Sequence, residues 1–141
     1  MKRIIAIIFA VTLILVINKK IEASVVITKL PTLEEGVELL GEYTITAYCP
    51  CEKCCGIWAK KPNEIKRGAS GDELVAGVSV ASPIEFGTNI EIVGIGKYTV
   101  HDRTANWIVD RYNSKIIDIY FNTHEEVINF KKKALVYKIA E

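Results

Sequence analysis

All four cysteines of this chain fall within seven residues, Cys49-Pro50-Cys51-Glu52-Lys53-Cys54-Cys55. Thiols this close have three chemistries open to them. In an oxidising compartment they pair as two local disulfides. As thiolates, four of them match the ligand count of a tetrahedral zinc site. As a nucleophile, one of them would need a base, and only His101 and His124 are available. Structural zinc sites usually draw ligands from two separated knuckles, and here one loop would have to wrap the ion alone. Disulfides are therefore the expectation if the protein is exported, with no metal and no cofactor. The vicinal pair Cys54–Cys55 would close a strained ring, so cross-pairing is expected, in a connectivity the sequence does not specify.

The carboxylates are the second group able to do chemistry. Asp102 follows Tyr98-Thr99-Val100-His101 and precedes Arg103. Asp110 sits in Trp107-Ile108-Val109-Asp110-Arg111-Tyr112. Asp118 is the most unusual, embedded in Ile116-Ile117-Asp118-Ile119-Tyr120-Phe121. A carboxyl among such neighbours is costly to bury without a hydrogen bond or a charged partner. Burial also raises its pKa, which suits a general acid. The plainer alternative is that Asp118 pairs with an arginine or caps a turn and only holds the fold. Asp102 and Asp110 each precede an arginine, and an exposed Asp–Arg neighbour pair carries little information.

The elements that must position these groups read as β. Residues 42–48 alternate and are rich in β-branched and aromatic side chains. Further strands are expected over 74–81, 89–93, 97–101, 116–121 and 134–139. Gly94-Ile95-Gly96 makes the third and fourth a hairpin. Thr123-His124-Glu125-Glu126 has the capping-box pattern of one short helix. Val127, Ile128 and Phe130 form its apolar face, and Lys131-Lys132-Lys133 suit its C-terminal end. Short strands at close spacing suggest a barrel or a sandwich.

Composition limits the rest. Half the residues are hydrophobic, a quarter are charged and the formal net charge is +1. A nucleic-acid partner would want a basic surplus, and disorder would want low hydrophobicity with high net charge. Met1-Lys2-Arg3 is followed by an uncharged apolar run over 4–17, short for a spanning helix and suited to a signal-peptide core. Lys19 and Lys20 beyond the run are unusual, and Ile21-Glu22-Ala23 offers an imperfect cleavage site. Residues 1–23 are thus expected to be a signal peptide or an uncleaved anchor, the only contact with a membrane. Residues 24–41 are expected to be a connector and 42–141 the globular domain, a monomer.

The set of motifs resembles the three-aspartate (3D) domain family of bacterial cell-wall proteins. The likeness begins at Thr46-Ala47-Tyr48-Cys49-Pro50-Cys51-Glu52-Lys53-Cys54-Cys55-Gly56. It continues through Ala69-Ser70-Gly71, Val80-Ala81-Ser82-Pro83, Phe86-Gly87-Thr88 and the strand ending at His101-Asp102. It closes with Ile117-Asp118-Ile119-Tyr120-Phe121, His124-Glu125-Glu126 and residues 134–139. It spans roughly 41–139 in order; each motif alone is weak and the combination is specific.

The resemblance implies a mainly β fold, a six-stranded double-psi β-barrel with one short helix, preceded by an N-terminal hydrophobic export helix. It implies kinship with the barrel of membrane-bound lytic transglycosylase A, and so an exported or wall-associated enzyme that cleaves peptidoglycan glycan strands to 1,6-anhydro-muropeptides. Such enzymes need one acid with a tuned pKa beside a sugar-binding cleft, whereas ordinary glycosidases need two carboxylates at a set separation. Asp102 is then expected to be the acid/base and Asp118 its partner. Ser70, Ser82, Thr88 and Asp110 are candidate substrate-binding polar groups, and Trp107 and Tyr112 candidate sugar-stacking rings or simple packing. Two features depart from the family. Ser82 stands at its first aspartate, and the Asp-Thr-Gly-Gly loop is replaced by Asp102-Arg103-Thr104-Ala105-Asn106-Trp107 and a longer run to Asp118. The alternative is a non-catalytic wall-binding module on the same barrel.

Overall fold

The computed structural model describes residues 36–61 and 63–140. The signal-peptide or anchor segment and most of the connector lie outside the described residues. Six strands close a barrel: β1 (Glu38–Tyr48), β2 (Ser79–Ala81), β3 (Asn89–Ile92), β4 (Gly96–Asp102), β5 (Ile116–Tyr120) and β6 (Lys131–Lys138). Their order around the wall is β1-β5-β2-β4-β3-β6. The contacts β1–β5 and β2–β4 are parallel and the other four antiparallel. Closure leaves no free strand edge, which for six short strands removes the pairing hazard of an open sheet.

Alternation along the strands builds the core. Tyr43 and Ile45 from β1, Val80 from β2, Ile90 and Ile92 from β3, and Val100 from β4 point inward. They meet Ile117 and Ile119 from β5 and Val136 from β6. All except Tyr43 are fully buried. Each buried aliphatic side chain contributes roughly 1.5–3 kcal/mol relative to exposure, so this cluster is the main source of stability.

Strand positions agree with the alternating pattern at their centres and depart at their ends. β1 starts at Glu38, inside the expected connector. Its register against β6 shifts between Leu39 and Gly41, where Gly41 takes φ +110°, open to glycine and strained for other residues. The expected strand over 74–81 shrinks to Ser79–Ala81. Its first half is a turn, in which the Val78 and Ser79 amides donate to the Val75 carbonyl and the Val75 amide donates to Ser79 Oγ. The β3–β4 hairpin forms as expected, with Ile92 paired to Gly96.

The helical expectation needs two corrections. The described residues hold three short α-helices rather than one: α1 (Glu52–Cys55), α2 (Asn106–Arg111) and α3 (His124–Val127). A 3-10 turn, Gly56–Trp58, follows α1. The third helix has the expected cap, since the Glu126 carboxylate accepts the Thr123 amide at 2.9 Å and its hydroxyl at 2.7 Å. It ends at Val127, however, and the lysine run belongs to β6. There Lys131, Lys132 and Lys133 pair with Thr46, Ile45 and Thr44 of β1. The strand pairing that closes the barrel outweighs the helix-end preference of the lysines, and Lys133 reaches Glu42 at 3.2 Å.

Candidate functional site

A single row across the wall holds both carboxylates. Thr46 of β1 pairs with Asp118 of β5, Asp118 with Ala81 of β2, and Ala81 with Asp102 of β4. Ile117, Ile119 and Val80 turn into the core, so Asp118 and Ala81 face the other way. By simple alternation Asp102 would share the inward face of Val100. The β2–β4 register instead shifts between Val80 and Ala81, making His101 the extra residue. A bulge of this kind bends the strand and re-aims the side chain that follows. Asp102 is thereby placed level with Ala81, and the aspartates flank a single small residue at about 10 Å between backbones, two strand spacings apart.

Each carboxylate is held by hydrogen bonds of different character. Asp102 accepts the Tyr48 hydroxyl at 2.7 Å and the amides of Ala69 and Arg103 at 2.9 and 2.8 Å. Asp118 accepts the hydroxyls of Thr46 and, at 3.0 Å, Thr104. Burial raises the Asp118 carboxyl above the usual range, the two threonine hydroxyls pull it down, and the neighbouring Asp102 charge pushes it up again. Tyr48 is likewise pushed well above the ordinary phenol value, first by burial and then by Asp102. It therefore stays a donor.

The two aspartates open onto a groove of about 960 Å³. Its floor includes Tyr48, Ala81 and Thr104, and its rims carry Trp58 and Trp107 with Arg67 and Arg103. Trp58 is 76% exposed and Trp107 62% exposed, large apolar rings left open to solvent. The Arg111 guanidinium lies 5.2 Å from the Trp107 ring centre. The loop bearing Ala69 is pressed against β4: a Cβ on Gly68 would stand 2.1 Å from the His101 carbonyl oxygen. That same oxygen accepts the Ser70 amide and hydroxyl.

Other residues singled out from the sequence are placed elsewhere. Ser70 spends its hydroxyl on His101 and Asp72 beside the groove. Ser82 is fully buried; its hydroxyl accepts the Ile84 amide at 3.2 Å and faces the Ile116 carbonyl at 3.4 Å. Thr88 precedes β3, with its carbonyl accepting the Val100 amide. Asp110 is exposed on α2, and the Tyr112 hydroxyl accepts a bond from Lys131 at 3.0 Å. None of these last four lines the groove. Thr46, Tyr48, Trp58, Ala69, Ala81 and Thr104 were not among the site residues expected from sequence. Thr46 and Tyr48 had a legible signal, being two apart on a strand and hence on one face.

The cysteines form no disulfide, which corrects the expected cross-pairing. Cys49 Sγ lies 3.2 Å from Cys51 Sγ and 3.6 Å from Cys54 Sγ, far beyond the ~2.05 Å of a bond. His124 Nδ1 completes the group at 3.5 Å from Cys51 and Cys54 and 3.9 Å from Cys49. Cys55 stands apart, its thiol donating to the Cys49 carbonyl at 3.1 Å. Among the thiols themselves, burial pushes Cys49 up to about 12, while donation from Cys49 holds Cys51 below its ordinary value. Burial pushes Cys55 up to about 11, so it is no ready nucleophile.

No protein-family model and no curated protein matches this chain.

Proposed function

We propose that this chain is an exported peptidoglycan-cleaving enzyme of the three-aspartate type, built on a double-psi β-barrel and acting as a lytic transglycosylase. The observation that carries the proposal is the pairing of two unlike carboxylates in one groove: a buried one with raised proton affinity and one held by three hydrogen-bond donors. Exposed tryptophans on the rims suit sugar faces, which stack on aromatic rings. The motif order in the sequence supports the same family.

The electrostatics favour a division of labour opposite to the sequence expectation. Asp118, the group that favours its proton, donates it to the glycosidic oxygen as the bond to the anomeric carbon breaks. Asp102, which accepts hydrogen bonds from Tyr48 and two amides, is its partner and faces the sugar ring as positive charge develops there. The Asp118 carboxylate then takes the proton of the muramyl 6-hydroxyl as that oxygen closes on the anomeric carbon. The acid is regenerated and no water is consumed. Ser82, at the family's first aspartate, plays no part in this scheme; its buried hydroxyl serves its own turn.

Digestion of bacterial sacculi with the purified full chain, read by mass analysis, tests this. Wild type is expected to release 1,6-anhydro-muropeptides, and Asp118→Asn to lower release by about 10²–10⁴-fold. Sedimentation with sacculi without any release would overturn the enzyme and favour the wall-binding module. Release of reducing ends in place of anhydro ends would mean hydrolysis.

A further inference from the structure

We infer that Cys49, Cys51, Cys54 and His124 form a tetrahedral Cys3His zinc site that clips the loop after β1 to the start of α3. The inference is independent of the muralytic proposal and stands or falls by itself. Its four ligand atoms lie within 4.8 Å of one another. A zinc ion with Zn–S near 2.3 Å and Zn–N near 2.0–2.1 Å sets tetrahedral edges of about 3.8 Å for S···S and about 3.6 Å for S···N. Cys49 Sγ lies 3.2 and 3.6 Å from the other two sulfurs, the S···N distances are 3.5, 3.5 and 3.9 Å, and the Cys51–Cys54 pair falls within the 4.8 Å that bounds the group. These separations are too long for disulfides and are those of donors around a shared centre.

The backbone is shaped for this arrangement. Cys49 leaves β1 fully buried, Cys51 precedes α1, and Cys54 lies within it. The Cys54 and Cys55 amides both donate to the Cys51 carbonyl, at 3.1 and 2.8 Å, so the loop folds back on itself. His124 arrives just beyond the neighbouring strand β5, seventy or more residues later, on the first turn of the helix held by the Thr123–Glu126 cap. One loop does not wrap an ion alone; the second knuckle is a single histidine. Three soft sulfurs and an imidazole select zinc over harder cations. With all four positions supplied by protein, such a site is structural. A cavity of about 540 Å³ bordered by Cys49, Cys51 and His124 gives the ion a route in. On binding, the three thiols release their protons to solvent and no electron is transferred.

Cys55 provides an internal control, because its thiol is not among the four ligand atoms and bonds instead to the Cys49 backbone carbonyl. The full chain, purified under reducing conditions without chelator and then equilibrated with zinc, should hold one zinc per chain by elemental analysis. Cys51→Ser and His124→Ala should weaken zinc in competition with a chromophoric chelator by more than the ~10–100-fold that outer partners contribute. Cys55→Ser should hold zinc as wild type does. His124→Cys should restore binding that His124→Ala loses, and its cobalt-loaded form should show a more intense thiolate charge-transfer band. Bound zinc should protect Cys51 and Cys54 from a thiol reagent, and stripping it should restore their modification. Absence of stoichiometric zinc from folded, reduced wild type would overturn the site. So would equal loss in Cys55→Ser and Cys51→Ser, or disulfides that form in wild type despite excess zinc.

Discussion

Asp118→Asn keeps a polar group able to meet Thr46 and Thr104 but removes the titration. The folded carboxyl has its pKa raised above the ordinary 3.8. Its protonation therefore contributes stability that is fully present below that value and is lost as pH rises through the folded pKa. Melting curves across this window should show wild type losing stability with rising pH, and Asp118→Asn losing less. Activity that depends on the protonated acid should fall over the same range. Tyr48→Phe removes the 2.7 Å bond to Asp102; it should destabilise by about 1–2 kcal/mol in denaturant titration and reduce turnover more than substrate binding. At this scale the sequence was partly informative. Asp118 stood out because a carboxyl among isoleucines demands an explanation. The donors that answer it, Thr46 and Thr104, lie 72 and 14 residues away. Only register brings them in, and composition carries no register.

The bulge at His101 and the pressed loop at Gly68 are the elements that aim the site. Gly68→Ala forces a Cβ onto a backbone carbonyl that cannot retreat without disturbing β4. It should cost ~1–3 kcal/mol by overpacking and pull the Ala69 amide from Asp102, so thermal stability and sacculus digestion should both fall. Glu126→Ala removes both acceptor contacts to Thr123. A loss of about 1 kcal/mol is expected, together with weaker zinc retention, since His124 is the next residue. Strand centres were legible because inward isoleucines and valines alternate with polar residues. The ends were not. The 74–78 run reads as strand by composition, yet the Ser79 hydroxyl closes it into a turn. The lysines at 131–133 read as a helix end, yet partners on β1 claim them. Helices α1 and α2 are too short to show a period.

At the scale of the whole molecule the sequence favoured a barrel or sandwich through short strands and turn spacing. Which strands run parallel depends on long-range pairing, as between residues 44–48 and 116–120, and no local pattern encodes it. The thiol–imidazole group joins two of these distant stretches. The loop that carries it also supplies Cys54, Cys55 and Trp58 to the groove wall. Stripping zinc should therefore lower the melting temperature and weaken glycan binding together, read by calorimetry and sacculus sedimentation. Trp58→Ala and Trp107→Ala should each weaken that sedimentation about 3–10-fold, equivalent to the ~0.5–1.5 kcal/mol of one aromatic stacking contact. Ala81 has a wider consequence. It is 3% exposed, and its methyl group is the one side chain on β2 level with both Asp118 and Asp102 at the floor of the groove. A valine or leucine there would act as a plug, silencing the protein by steric occlusion while leaving every acidic group and every ligand of the clip untouched.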